Sequence, residues 1–241
     1  EEAGQGAKLC LPLLEEKKIG EIYGLHNIPG YPKNHILIKE GTFACASTGI
    51  EIRMTGTPSH AAYPEAGKNP GFALAKLLLE VEKLTEQVNE TRGFVRMTLI
   101  GMEIGSDSYG VSASDGVLRL TVRGERECVF EEYVAAIKEL AKERAKEENL
   151  TLAIHEIERF PATENHMDSV KKLRACAAKQ GLPVTELKEP MRWSEDFGYY
   201  LQKTEGAFFG IGDGEDHVQL HTEQYEFPDE IIETAVRMFG G

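Results

Sequence analysis

The stretch ACASTGIEIRMTG, residues 44–56, indicates how the middle of this chain folds. Within it Ile50, Ile52 and Met54 alternate with polar residues, which is the period of a β-strand with one buried face. A turn-rich segment follows, and after it the apolar side chains recur at the spacing of an amphipathic helix. These helical positions are Leu74, Leu77, Leu78, Val81 and Leu84.

The same two periods continue along the chain. Alternation returns at residues 93–104 and 116–122, which predicts two more strands. A second amphipathic helix is predicted at about residues 128–147, and residues 150–157 predict a final strand. The resulting order, β-α-β-β-α-β, is the split β-α-β pattern of a ferredoxin-like unit.

These strands and helices fill residues 44–158, which we predict to be a self-contained, inserted domain. The flanking segments, residues 1–43 and 159–241, are each too short for a good core, so we expect them to form a second domain together. The predicted fold class is therefore α/β (α+β) with two domains.

Composition and charge argue against several classes of function. Among 241 residues, 27 Lys and Arg against 40 Asp and Glu give a net charge of −13 without a basic cluster, which argues against a nucleic-acid-binding protein. No apolar run approaches the roughly 18 residues of a membrane span. The four cysteines are far apart and form no CxxC pair, which is typical of a reduced, cytoplasmic protein.

Two adjacent carboxylates, Glu1 and Glu2, open the chain. Because no initiator Met or signal-like segment precedes them, we expect the sequence to begin in mid-domain or after processing. Neighbouring carboxylates on a loop point in different directions, so one is able to bind a metal while the other handles a proton. The alternative is a solvated pair at a helix start, where the helix dipole favours acidic groups.

Two histidines are further candidates. His26 closes an apolar stretch just before a Pro-Gly turn, and the carboxyl end of a buried strand is where α/β folds keep their sites. Its alternative role is that of a buried, hydrogen-bonded histidine. His221 follows the short apolar strand of residues 208–212 and a polar loop. Carboxylates and neutral imidazoles together suit a divalent metal such as zinc.

Five motifs, in order along the whole chain, carry a family resemblance. They are Glu-Glu-x-Gly-x-Gly-Ala-Lys from residue 1, Gly-Leu-His at 24–26, Ser-His-Ala-Ala-Tyr-Pro at 59–64, Trp-Ser-Glu-Asp-Phe-Gly-Tyr-Tyr-Leu at 193–201 and Leu-His-x-x-x-Tyr-x-Phe from residue 220. With this set the sequence resembles the M20 metallopeptidase family. The similarity is greatest to its amidohydrolase branch, which includes hippurate, N-acyl-amino-acid and indoleacetyl-amino-acid hydrolases.

The resemblance implies a zinc-peptidase-like catalytic domain at residues 1–43 and 159–241, incomplete at its N-terminus, with residues 44–158 as an inserted lid and dimerisation domain. It implies hydrolysis of the amide bond of N-acyl amino acids or short peptides, by a homodimer that forms through the lid. It also implies one or two divalent ions, zinc in the first place, with manganese, cobalt and nickel as alternatives.

The same resemblance assigns residue roles. Glu1 resembles the general base that takes a proton from water and returns it to the leaving amine. The metal ligands that it implies are Glu2, His26 and His221. His60 resembles the lid histidine that stabilises the oxyanion from the partner subunit. Glu195 and Asp196 lie in a block that borders the site in the family, and Asp196 fits a structural role equally well.

Two departures from the family pattern leave a rival hypothesis open. Gly-Val-Ser-Ala at residues 110–113 stands where members commonly have Asn-Val-x-Pro, so a substrate-contacting amide is missing. The family's other metal ligands lie upstream of the Glu-Glu motif. The rival is a non-catalytic fragment or remnant that keeps a dimerisation lid without a full metal site. A serine or cysteine hydrolase has little support, since Ser59 and His60 are adjacent and the chain has no Gly-x-Ser-x-Gly elbow.

Overall fold

The computed structural model describes residues 4–240, so the predicted base Glu1 and the predicted ligand Glu2 lie outside the described residues. The helices are α1 (Gly6–Glu16), α2 (Gly71–Thr91), α3 (Glu127–Glu147), α4 (Met167–Lys179), α5 (Gly198–Leu201) and α6 (Ile232–Gly240). The strands are β1 (Glu21–Ile28), β2 (Ile36–Ile38), β3 (Gly41–Ala44), β4 (Ala46–Thr55), β5 (Ser59–His60), β6 (Val95–Ile104), β7 (Val111–Ser112), β8 (Asp115–Gly124), β9 (Thr151–Phe160), β10 (Thr163–Asn165), β11 (Val184–Glu186) and β12 (Glu205–Gly212). None of the helices within this range is long and apolar enough to cross a membrane.

The chain divides into two compact units. The first unit consists of residues 4–45 and 161–240, and the second unit is Ala46–Phe160. The predicted inserted domain, residues 44–158, begins and ends two residues before the second unit.

The strand predicted at residues 44–56 is two strands, β3 and β4, which separate at Cys45. The Cys45 backbone N–H donates to the carbonyl oxygens of Met191 and Trp193, at 3.0 and 3.1 Å. β3 pairs with β10 in the first unit, whereas β4 pairs with β8 and β9 in the second unit. The break therefore coincides with the passage from one unit to the other.

The first unit is built on a four-stranded sheet in the order β1-β12-β2-β11. β1 runs parallel to β12, β12 antiparallel to β2, and β2 parallel to β11. β12 is apolar along most of its length because both of its faces are buried. The space at its end is tight, since a Cβ on Gly212 would lie 2.1 Å from the Pro32 carbonyl oxygen.

Alternate side chains of these strands enter two cores. On one face Ile36, Ile38 and Phe209 pack with Val170 and other side chains of α4 and α6. On the opposite face the core contains Ile28, Leu37, Phe43, Ala44 and Phe208, with Trp193 and Phe197 packed against it. His26 shares the second face with Ile28, because side chains two apart on a strand point the same way.

The second unit contains a four-stranded antiparallel sheet in the order β6-β8-β4-β9. Its elements follow one another as strand, helix, strand, strand, helix, strand, with the short β5 and β7 pairing separately. The buried positions of β4 are those of the predicted alternation, Ile50, Ile52 and Met54. On the other face of β4, Glu51 pairs with Arg119 of β8 at 2.9 Å.

The buried phenol of Tyr133 makes the stability of the second unit depend on pH. Its hydroxyl lies 2.5 Å from Thr85 Oγ1, and desolvation raises its pKa from 10.0 to about 12. Between about pH 10 and about pH 12 the unfolded chain loses this proton first, so the free energy of unfolding should fall by roughly 1.4 kcal/mol per pH unit. Below pH 10 the contribution is fully present.

The free energy of unfolding is measured on the whole chain, by urea unfolding followed with far-ultraviolet circular dichroism at several pH values in this range. Tyr133→Phe should remove the extra pH dependence, whereas Tyr109→Phe, at a residue that is 98% exposed, should keep it. Equal slopes for Tyr133→Phe and the unchanged chain would contradict the expectation.

Candidate functional site

His26 is held in one tautomer near the carboxyl end of β1. Its Nδ1 lies 2.6 Å from the Asn27 carbonyl oxygen, and because a carbonyl only accepts, Nδ1 carries the proton. The ring also packs on Trp193 with 5.5 Å between centroids. Nε2 is consequently the nitrogen with a lone pair, which is the arrangement that orients a metal-binding imidazole.

Glu195 faces that nitrogen. Its Oε1 lies 3.9 Å from His26 Nε2, and both side chains are partly buried. Nitrogen and oxygen ligands each lie about 2.0–2.2 Å from a zinc ion that they share. The observed separation is longer than a hydrogen bond and a few tenths of an ångström longer than the roughly 3.3–3.6 Å between two ligands of a tetrahedral ion. The sequence interpretation assigns Glu195 only to the border of the site, so this proximity is an addition to it.

Asp196 points elsewhere, towards the beginning of α1. Its Oδ2 accepts the backbone N–H of Ala7 at 2.8 Å, and Ala7 is buried. The first N–H groups of a helix lack partners within the helix, and a carboxylate there is favoured by the dipole. Lys8, the next residue, lies over the Tyr199 ring at 4.5 Å. Asp196 therefore anchors the helix that follows Glu1 and Glu2 in the sequence.

His221 lies in the long loop between β12 and α6, where it is exposed and has a φ of 62°. The hydrogen bond, ion pair and ring contact described for His26 involve Asn27, Glu195 and Trp193 and not His221. The loop is nevertheless tied to β1 through Tyr225, whose hydroxyl oxygen lies 2.5 Å from Asn27 Nδ2.

A buried carboxylate completes that connection. Asp213, directly after β12, is 0% exposed, and its Oδ2 accepts from Asn27 Nδ2 at 2.9 Å and from the Tyr225 hydroxyl at 3.3 Å. Burial and the charge of Asp213 raise the pKa of Tyr225. Sequence reasoning missed this cluster, although the acidic residue at the end of the apolar run of β12 was a signal.

His60 belongs to the second unit, where β5 pairs with β7. The side chain is exposed, and its Nδ1 accepts the Ala62 backbone N–H at 3.0 Å. Because Nδ1 accepts, the neutral ring carries its proton on Nε2. Its Nε2–H is thus available as a hydrogen-bond donor.

The described residues hold part of the predicted ligand set. Of the three predicted ligands, His26 and His221 are described, and Glu2 is not. Across residues 4–240 no group of three or more His, Cys, Asp or Glu side chains is arranged to hold a metal ion. The donor pair at His26 and Glu195 is the part of the site whose chemistry fits a divalent cation.

The whole sequence, residues 1–241, matches the family model described as peptidase family M20/M25/M40. An N-acetyldiaminopimelate deacetylase of Leuconostoc citreum is 27% identical over 237 residues, which cover 96% of this chain and 60% of that protein. The deacetylase of the same name from Limosilactobacillus fermentum is 30% identical over 226 residues, which cover 91% of this chain and 57% of that protein. The chain thus spans less than two thirds of the length of these relatives.

A solved structure has the same fold. The YXEP protein of Bacillus subtilis, described as a dinuclear metal binding peptidase from the M20 family, superposes with a TM-score of 0.80 at 20% identity. The match covers 99% of this chain and 60% of that one. Since the family model matches the whole sequence, the chain belongs to peptidase family M20/M25/M40.

Proposed function

We propose that this protein is a metal-dependent amidohydrolase that cleaves the amide bond of N-acyl amino acids or short peptides. The observation that supports it most is the pairing of His26 Nε2 with Glu195 Oε1 across 3.9 Å, with the histidine held in the tautomer suited to a metal. The names of the deacetylase relatives agree with amide hydrolysis.

The residues proposed to hold the metal are Glu2, His26 and His221. Zinc suits this mixture of carboxylate and imidazole donors, and manganese, cobalt and nickel are the alternatives. When bound, such an ion acts as a Lewis acid towards an amide carbonyl. We assign Glu195 to the border of the site, where its charge adds to the attraction for a cation.

Proton transfer is assigned to Glu1. It accepts a proton from the attacking water and returns it to the nitrogen of the leaving amine as the amide bond breaks. His60, reaching the site from the partner subunit of the proposed homodimer, is assigned the stabilisation of the negative charge that develops on the carbonyl oxygen. The support for this role is its Nε2–H, which is able to donate a hydrogen bond to an oxyanion.

The two units receive different roles in this proposal. Residues 4–45 and 161–240 belong to the catalytic domain, because they carry His26, Glu195 and His221. The second unit, with its strand order β6-β8-β4-β9, is the ferredoxin-like lid through which two chains would form a homodimer.

The experiment that tests the proposal combines metal exchange with two histidine substitutions, one in the proposed site and one as its control. The purified chain is stripped with a chelator, reloaded with zinc, manganese or cobalt, and assayed on N-acetyl amino acids, N-benzoylglycine and N-acetyldiaminopimelate. His26→Ala should lose bound metal and lower turnover by about 10²-fold or more. His155→Ala, at an exposed position of β9, should change neither. Hydrolysis that persists after metal removal would contradict the proposal.

The rival function, a non-catalytic fragment, is favoured by one observation. A cavity of about 680 Å³ is lined mainly by apolar residues of β1, α6 and the segment before α6, and four of them are about half exposed or more. These exposed residues are Phe227, Ile232, Val236 and Phe239, at 49, 49, 64 and 57%. Exposed apolar surface of this kind promotes association. Weak metal binding together with no hydrolysis of any substrate in the panel would support this rival.

A further inference from the structure

We propose that Asp213 is a positioning residue that holds the two histidine-bearing segments of the site, β1 with His26 and the loop with His221, in one arrangement. The inference rests on the proposed function, since it takes both histidines to be metal ligands. Asp213 itself is not a ligand in this account.

The backbone of Asp213 is fixed to the end of β1. Its N–H donates to the Ile28 carbonyl oxygen at 3.1 Å, one residue beyond Asn27. The side chain is inaccessible to solvent, so its contacts do not compete with bulk water. A substitution at Asp213 therefore changes hydrogen bonds at a position that is fixed and shielded from solvent.

The two segments meet in a cluster of three side chains, in which Asn27 Nδ2 also donates to the Tyr225 hydroxyl oxygen at 2.5 Å. Asp213 Oδ2 accepts from Asn27 Nδ2 at 2.9 Å and from the Tyr225 hydroxyl at 3.3 Å. Asn27 follows His26 directly and its carbonyl accepts the His26 Nδ1–H at 2.6 Å. Tyr225 stands four residues after His221 in the loop. The path from one histidine to the other thus passes through Asn27 and Tyr225, and Asp213 bonds to both of them.

Within the loop, Tyr225 is also held by His217. The rings of His217 and Tyr225 meet edge to face with 5.5 Å between centroids. His217 Nε2 lies 2.9 Å from the Glu226 carbonyl oxygen, to which it donates. Tyr225 is consequently held from two directions, and Asp213 together with Asn27 supplies the one that leads to β1.

Within the part of the chain that the structure describes, Asp213 is buried without a cationic side chain bonded to it. No Lys or Arg among residues 4–240 forms an ion pair with it, and its Oδ1 has no hydrogen-bond partner in the same range. Its partners at Oδ2 are a neutral amide and a neutral hydroxyl. A buried carboxylate without a cationic partner is unfavourable by itself and favours a cation nearby.

The test measures zinc affinity by chelator competition and the visible spectrum of the cobalt-loaded chain. Asp213→Ala removes the shared acceptor, so we expect zinc affinity to fall by about 10–100-fold and the cobalt spectrum to change. Asp213→Asn keeps an acceptor oxygen but loses the charge, so it should restore part of the affinity. Tyr225→Phe removes the hydroxyl that contacts both Asp213 and Asn27 but keeps the bond between those two residues, and it should give an intermediate loss.

A control variant separates positioning from general destabilisation. Thr234→Val removes another buried hydrogen bond of the first unit, from Thr234 Oγ1 to Asn34 Oδ1 at 2.7 Å. It should leave zinc affinity and the cobalt spectrum unchanged. Wild-type affinity and an unaltered cobalt spectrum in Asp213→Ala would overturn the inference.

Measurements on the metal-free chain distinguish a failure of this inference from a failure of the proposed function. The imidazole NMR resonances of His26 and His221 should both shift in Asp213→Ala. Neither resonance should shift in Thr234→Val. If the unchanged chain binds no metal, the proposed function fails while these resonances still test the positioning role. Unshifted resonances of both histidines in Asp213→Ala would refute positioning whatever the metal result.

Discussion

Glu1→Gln is expected to lower kcat for an N-acyl amino acid by about 10²–10⁴-fold, the range typical of a general base, while the zinc content per chain stays unchanged. Glutamine keeps the length of the side chain and an amide oxygen but cannot accept a proton from water at neutral pH. Glu2→Gln should behave differently, because loss of a ligand carboxylate lowers the zinc content as well as turnover. The two adjacent substitutions therefore separate the base from the ligand.

Glu15→Gln is the matched control for this pair. Glu15 is exposed on α1, so the substitution changes the net charge equally without touching the proposed site. Turnover and zinc content should both match the unchanged chain, as measured by steady-state kinetics and elemental analysis. If Glu1 and Glu2 were a solvated pair at a helix start, both variants would behave like Glu15→Gln, and that result would remove the assignment of the base.

The elements of the second unit could be predicted from the sequence because each has a regular period over several turns or pleats. Helix α2 buries Leu74, Leu77 and Val81, three of the positions at which the helical spacing was recognised. Helix α3 begins at Glu127, one residue before the predicted start. In contrast, the end of β3 at Ala44 depends on hydrogen bonds from Cys45 to residues far along the chain, which periodicity does not contain.

Several elements of the first unit carry too little pattern to be recognised. Strands β2, β10 and β11 have three residues each, which is less than two full periods of alternation. Helix α4 buries Ser169 and Ala177 beside Val170 and Leu173, so its inward face is not uniformly apolar. Tertiary packing rather than local sequence fixes these segments.

The candidate site, too, could be predicted from the sequence only in part. His26 and Glu195 were both recognisable within short motifs, and the structure brings their side chains within 3.9 Å. The connection through Asp213 was not recognisable, because Asp213 and Asn27 are 186 residues apart and meet only when β12 lies beside β1. Residue types in a motif predict chemistry, whereas hydrogen bonds between distant strands require the register of the sheet.

Leu37→Ala is expected to lower the free energy of unfolding of the first unit by about 2–5 kcal/mol, because the substitution leaves a cavity in a closed core. Leu37 is 0% exposed in β2 and packs in the core cluster with Phe43 and Phe208. Leu9→Ala is the matched control, since Leu9 is 78% exposed on α1 and surface changes are usually within about 0.5 kcal/mol.

Trp193 makes this comparison specific to the first unit. It is the single tryptophan of the sequence, and it packs against the core that contains Leu37. Urea unfolding followed by its fluorescence therefore reports the first unit, and equal midpoints for Leu37→Ala and Leu9→Ala would contradict the packing described. Because the Trp193 ring also contacts His26, the loosened core of Leu37→Ala should weaken the restraint on that histidine before the unit unfolds. The stability of the sheet and the order of the proposed metal site are thus expected to decline together.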